Sequence, residues 1–258
     1  MSTISSKRGP ASGRGSSAVA VVLVAAGLCL ATGCATAPTP GEPPRESGLD
    51  RFNKGSSDFN YWMQQNALIP LAKGYNWVVP KPGQELVDNF VTNLQRPRDM
   101  INSLLQGKFE RSGRHLAHFL LNSVFGFGGL LYVSHRVLDD DSPETFNETL
   151  GAWGVPTGPY IVLPLVLPIF DGTSPRGLVG YGGDLVTNPL FWVPGTTGTI
   201  LSLGTATIGG LNTVALFMPD PLAGESEWQA FEELSRERVP YEEARDLFFE
   251  NQRLDVED

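Results

Sequence analysis

The 258-residue sequence predicts a mainly α fold, a single helical domain embedded in one membrane leaflet with broken apolar segments. Three observations lead there. Long stretches of the chain carry no charge, glycine or proline interrupts each of them, and apolar residues elsewhere recur at helical spacing.

The uncharged stretches come first. Between Arg114 and Arg136 the only ionisable side chains are His115, His118, Tyr132 and His135. Thr149 to Phe170 is 22 residues without a charge, and Leu185 to Pro219 is 35. Ordinary soluble domains have about a quarter of their residues charged, so these runs are either a large buried core or surface that meets lipid. Gly126, Gly128 and Gly129 break the first run, and Pro156, Pro159, Pro164 and Pro168 the second. Pro189, Pro194, Gly195, Gly198, Gly204, Gly209 and Gly210 break the third. Only helices and closed barrels satisfy their backbone while crossing a bilayer. These runs are not long straight helices, and they lack the alternation of barrel strands. An unbroken apolar helix would also be arrested in the inner membrane during export. The expectation is a body seated in one leaflet.

The N-terminus reads as a processing signal. Lys7, Arg8 and Arg14 make a basic start, Ala18 to Gly33 is uncharged for sixteen residues, and Ala31-Thr32-Gly33 precedes Cys34. That order is an export signal, and its apolar run is shorter than the ~20 residues of a spanning helix. A cysteine directly after the small residues resembles the bacterial lipobox, with Ala31 where leucine is usual. The resemblance implies a diacylglycerol thioether on Cys34 and an acylated amine. At ~0.8 kcal/mol per buried methylene, three chains anchor a protein essentially permanently. Ala35 follows, not aspartate, which by the enteric sorting pattern points to the outer membrane, periplasmic face. The expected organisation is a signal over 1–33, the lipidated cysteine and a Pro-rich tether over 34–48, an embedded helical domain over 49–224, and an acidic helical tail over 225–258.

Helical patterns follow the tether. Leu49, Phe52, Phe59 and Met63 share a face, as do Val87, Phe90, Val91 and Leu94 after Pro82. Met100, Ile101, Leu104 and Leu105 predict a short helix ended by Gly107, and Phe109 to Val124 another ended at Gly126. Ser142-Pro143 predicts the start of a helix carrying Phe146, Leu150 and Trp153. Tyr160 to Leu167, with Pro164 inside it, predicts a loop or broken hairpin. Ser202, Ala206 and Gly210 offer a small-residue helix face.

Charge and cysteine content exclude several functions. Without residues 1–33 the chain keeps sixteen bases against twenty-eight acids, a net charge of −12, and residues 225–258 alone carry −8. Such a chain is a poor partner for nucleic acid. Only Cys29 and Cys34 exist, so the mature protein has no thiol for disulfides, zinc or nucleophilic catalysis. His115 and His118 stand three apart, but no third metal ligand is evident. Gly172 to Gly177 lacks the glycine a nucleophile elbow needs, and Asp139-Asp140-Asp141 lacks the rest of a calcium loop. Neither an enzyme, a metal site nor a cofactor is expected.

The motifs Phe52-Asn53, Asp58-Phe59-Asn60, Pro70 to Tyr75, Val79-Pro80, Asn89-Phe90 and Asn102 to Gly107 resemble the VacJ-like family, also called MlaA. So do Phe119 to Ser123 and Gly126 to Gly129, and most sharply Thr149 to Val155 and Gly158 to Pro164. The likeness covers about residues 49–250, with Gly177 and Val239 standing where the family usually has aspartate. The resemblance implies a ring of helices in the inner leaflet of the outer membrane, often held by trimeric porins, around an amphipathic channel. Phospholipids misplaced in the outer leaflet pass through it to a soluble periplasmic carrier, preserving lipid asymmetry. A lipoprotein that only scaffolds envelope complexes is the alternative. Thr196, Thr197, Thr199, Thr205 and Thr207 are candidates for a polar lane beside apolar surface, and Gly154, Gly158, Pro159 and Tyr160 for a lining or gating loop.

Overall fold

The computed structural model describes residues 47–139, 142–164, 172–193 and 197–257; the export signal and Cys34 lie outside the described residues. Ser47 and Asp50 exchange side-chain and backbone hydrogen bonds in a capping box that fixes the start of α1, Gly48–Met63. A π-helical turn, Gln64–Leu68, joins it to α2, Ile69–Val78. The wide turn leads into Pro70, which has no N–H to continue a tight ladder.

Next comes α3, Lys81–Leu105, as one helix of 25 residues. The apolar residues Val87 to Leu94 and Met100 to Leu105 predict two helices, and the structure has one. Pro97 removes the bond to the Asn93 carbonyl, but α4, Phe109–Phe125, grips α3 on either side of that gap. Asn93 donates to Ser123 Oγ at 3.0 Å before it, and Ser112 Oγ to the Met100 carbonyl at 2.9 Å after it. The turn between the two helices closes as expected at Gly107, at φ 80°. The Lys108 amide reaches the Ser103 carbonyl and the Gly107 amide that of Leu104, the paired bonds of a Schellman motif.

The next helix, α5, is Phe146–Ala152, not the longer one expected from Ser142. Its start is a capping box of Thr145 with Glu148, a stronger local signal than Ser-Pro. Then come α6, Pro175–Thr187, α7, Thr197–Leu216, α8, Glu225–Arg236, and α9, Tyr241–Glu257. Helix α7 is a 20-residue helix inside the third charge-free run, where the sequence predicts no long helix, because each glycine weakens a helix by only about 1 kcal/mol. Among the described residues the β pairing is one antiparallel bridge, Ile161 with Thr173, in the stretch where the sequence predicts a loop or broken hairpin; Leu165 to Leu167 lie outside the described residues. Close approach to α3 occurs at Gly209, where a Cβ would sit 3.1 Å from Val91, while a Cβ on Gly210 would meet nothing. Side chains of Ser202 and Ala206 lie outside the described residues.

Helix α3 is central, touching α4, α5, α6 and α7. Lys81 at its start donates to the carbonyls of Ala215 and Met218 at 2.6 Å each and to that of Leu216 at 3.2 Å, placing a cation on the negative end of α7. Two apolar clusters fasten the acidic tail to the rest. Ile69, Ala72 and Met218 pack with Trp228 and Phe231 of α8. Tyr160 and Val162 pack with Tyr241 and Phe248 of α9.

Candidate functional site

Among the described residues, most buried side chains are polar. Asn53 and Asn60 of α1, Asn93, Arg96, Asp99 and Asn102 of α3, and Ser112, His115, His118 and Asn122 of α4 are all buried. Each set recurs at three, four or seven residues, one polar stripe per helix. The opposite faces carry the apolar residues, and these are exposed: Phe52 and Trp62 on α1, Leu104 on α3, Leu116, Leu120 and Val124 on α4. Trp77, Val78, Phe125, Phe127 and Trp192 are more than two-thirds exposed. Isolated exposed apolar residues are ordinary, but a polar interior under an apolar surface is the reverse of a protein folded for water.

The polar interior is hydrogen-bonded. Arg96 donates to His115 Nδ1 at 3.1 Å and to the Tyr132 hydroxyl at 2.9 Å. His118 Nε2 lies 3.0 Å from the Asp139 carbonyl, which only accepts, so Nε2 carries the proton. Its Nδ1 then accepts a hydrogen bond from the Ser134 hydroxyl at 2.7 Å. The two histidines thus tie α3, α4 and the following loop together. Glu144 is 1% exposed and receives Arg111 at 2.5 Å, Gln106 at 2.8 Å and Lys108 at 3.4 Å. Burial opposes its ionisation, but those hydrogen bonds and charges outweigh it and hold the carboxyl below the ordinary glutamate value. Asp99 and Asp184 go the other way: burial pushes both up despite the Arg98 guanidinium, 2.7 Å from Asp99. Asp184 accepts from the Phe146 amide at 2.8 Å, a carboxylate at the start of α5.

The candidate loop lies against this interior. Gly154 and Gly158 both have φ 81°, a region other residues avoid. Gly154 is exposed with nothing near the site of a Cβ, whereas a Cβ on Gly158 would sit 3.0 Å from Pro175. Pro159 is half-buried. Tyr160 is buried, its ring 5.0 Å from Phe248 and 5.9 Å from Tyr241, so its side chain is an anchor within the body. Arg176 donates to the Val155 carbonyl at 3.0 Å, Asn147 at 3.1 Å and Gln252 at 2.7 Å, holding the other side of the loop with neutral acceptors.

Beyond the loop the chain is fastened to α1. Asn53 donates to the Tyr160 carbonyl at 2.8 Å and accepts from the Val162 amide at 2.9 Å, while Asn60 donates to the Leu163 carbonyl at 3.0 Å. Seven helical residues rise ~10.5 Å, and three extended ones span ~10 Å, so the two asparagines match the segment they hold. Phe59, beside Asn60, turns outward with its ring 6.0 Å from Trp62. Of the threonine lane, Thr207 is exposed and Thr205 half-buried, while Thr196 and the side chains of Thr197 and Thr199 lie outside the described residues. Glu144, Asn102 and Gln84 are buried organising residues that sequence reasoning missed. For Asn102 the signal is the polar stripe at helical spacing on α3; Glu144 stands in the segment before α5 and has no such signal.

No helix among the described residues is long and apolar enough to cross a membrane. The chain matches the family described as MlaA lipoprotein over residues 46–254. It is 37% identical to the intermembrane phospholipid transport system lipoprotein MlaA of Haemophilus influenzae over 165 residues, 62% of this chain and 64% of that one. To the protein of the same name from Shigella flexneri it is 32% identical over 196 residues, 74% of each chain. To that of Escherichia coli it is 34% identical over 145 residues, 55% of this chain and 57% of that one. The first and third alignments thus span less than two-thirds of those relatives. A chain solved in work on the structural basis for maintenance of bacterial outer membrane lipid asymmetry superimposes with a TM-score of 0.65 at 27% identity, over 82% of this chain and all of that one. With the family match running from the start of α1 almost to the end of α9, this chain belongs to the MlaA lipoprotein family.

Proposed function

We propose that this protein is a non-enzymatic phospholipid channel, anchored through Cys34 on the periplasmic face of the outer membrane and sunk in its inner leaflet. It removes phospholipids from the outer leaflet and passes them to a soluble periplasmic carrier, with a trimeric porin as its seat in the membrane. The observation that carries this is the inverted body: polar side chains buried and hydrogen-bonded, apolar ones exposed. That distribution suits a solvent of acyl chains, in which polar groups must be satisfied internally. The absence of a spanning helix among the described residues agrees with one leaflet. The relatives' names supply the cargo, intermembrane phospholipid transport.

The test is surface phospholipid in a deletion strain. The strain should accumulate it, and the wild-type gene should clear it. Cys34→Ala should not, because the unlipidated protein is stranded as uncleaved precursor or as material released from the outer membrane; normal outer-membrane fractionation with unchanged mass would refute the anchor. Unaltered asymmetry in the deletion strain would refute the channel.

The loop from Gly154 to Tyr160 is proposed as the gating element, with Tyr160 as its fixed end. Gly154→Ala meets no neighbour and costs only about 1–2 kcal/mol for its positive φ. It should leave protein abundance near normal and raise surface phospholipid severalfold. Gly158→Val should deplete the protein itself, since its Cβ presses on Pro175. Wild-type asymmetry in Gly154→Ala would remove the gate and leave a rigid turn.

A further inference from the structure

Between α2 and α8 lies a cavity of about 380 Å³, lined by Gln65, Ile69, Lys73, Glu232, Ser235 and Arg236. Its floor is the apolar cluster around Ile69. Its walls are fixed by contacts outside the opening. The Tyr61 hydroxyl and the Gln65 amide, from α1 and the π-turn, donate to the carbonyls of Arg236 and Ser235 in the last turn of α8. Lys73 lies over the Trp228 ring at 5.3 Å and 3.1 Å from Glu232. Arg236 Nη2 is 3.5 Å from the other oxygen of Glu232. One carboxylate and two cations therefore share the opening, Lys73 and Glu232 half-exposed, Arg236 largely exposed, and both cations paired with the carboxylate.

The position is as telling as the charges. On α2, Lys73 shares a helical face with Pro70 and with Trp77, which is exposed. Helix α8 turns Glu225, Glu227 and Glu233 to solvent. The opening thus lies where an apolar surface meets an acidic, hydrated one, and a polar headgroup attached to acyl chains would cross that boundary.

We propose that this cavity is a binding site for a zwitterionic phospholipid headgroup, with the phosphate on Lys73 and Arg236 and the ammonium on Glu232. The inference rests on the transport function proposed above and names where the cargo's polar end is held. A zwitterion entering here exchanges the pairs that Glu232 makes with Lys73 and Arg236 for a phosphate between the two cations and an ammonium on the carboxylate, so that every charged group keeps an opposite partner. An anion alone would displace the pair and leave Glu232 facing it. Lys73 also holds the Glu232 carboxyl below its ordinary value, so the acceptor stays ionised. The ion pairs here are solvated, which suits a way-station that releases its cargo.

The test uses the full lipidated chain in detergent, titrated with glycerophosphoethanolamine, glycerol 3-phosphate and inorganic phosphate. The zwitterion should bind tightest. Glu232→Gln should weaken it tenfold or more, down to the level of glycerol 3-phosphate, whereas Lys73→Gln should weaken all three. Both variants remove only half-exposed charges and should melt as the wild type does, which a thermal scan verifies. Equal binding of inorganic phosphate and the zwitterion, or a Glu232→Gln protein that binds as the wild type, overturns the site. The two proposals fail separately. Normal asymmetry in the deletion strain with zwitterion binding intact removes the transport function and spares the site; lost asymmetry without zwitterion binding does the reverse.

Discussion

Glu144→Ala is expected to destabilise the folded chain by about 3–5 kcal/mol, the range for breaking a buried ion pair from one side. The side chain is 2% exposed and is approached by Arg111 and Lys108, with Gln106 on its second oxygen. Removing it leaves two cations facing each other over a cavity, and frees the segment that leads into α5. The measurement is unfolding in detergent by circular dichroism, and an unchanged midpoint would mean that water reaches all three donors. The same group predicts a pH dependence. Its folded carboxyl titrates below the unfolded value of ~4.3, so its contribution is complete above that value and fades as pH falls through the lower, folded one. Asp99 and Asp184, raised by burial, contribute with the opposite sign: their stabilisation is present below the unfolded aspartate value and is lost as pH rises through the folded one.

A protein starting at Ala35, with no anchor to hold it to lipid, should still require detergent. In plain buffer it is expected to sediment as aggregate, and in detergent to run as one species. The reason lies in residues such as Trp77, Phe125, Phe127 and Trp192, whose rings are exposed on a body with only small apolar clusters inside. Exposed apolar area on this scale does not persist on a soluble monomer. A monodisperse monomer in buffer alone would overturn the seat in a leaflet.

Helix positions were legible because period alone reveals them: Phe109 to Val124 predicted α4, and Gly107 its turn. The direction of each helix was not. A stripe such as Ser112, His115, His118 and Asn122 opposite Leu116 and Leu120 has the same periodicity whether its apolar side faces a core or lipid. Only the charge-free runs hinted which way to turn it. The two helices expected over Val87 to Leu105 are one, because contacts from α4 on either side of Pro97 hold them together and the sequence nearby does not contain those contacts. At α5 a local signal was overlooked, since Thr145 and Glu148 stand at capping-box spacing. The pairing of Asn53 and Asn60 with Tyr160 to Leu163 joins residues more than a hundred positions apart, beyond any window of local pattern.

The bridge between Ile161 and Thr173 has a consequence for how such a protein diversifies. Its two backbone bonds, 2.8 and 2.7 Å, fix both ends of the intervening stretch to the same spot on the body. A Cβ on Gly172 would enter the Tyr160 ring, so the knot itself tolerates little change. Each doubling of a closed loop's length costs only ~0.6 kcal/mol, so a change in chain length between the two bridged residues is absorbed at the knot, and the helices on either side keep their register.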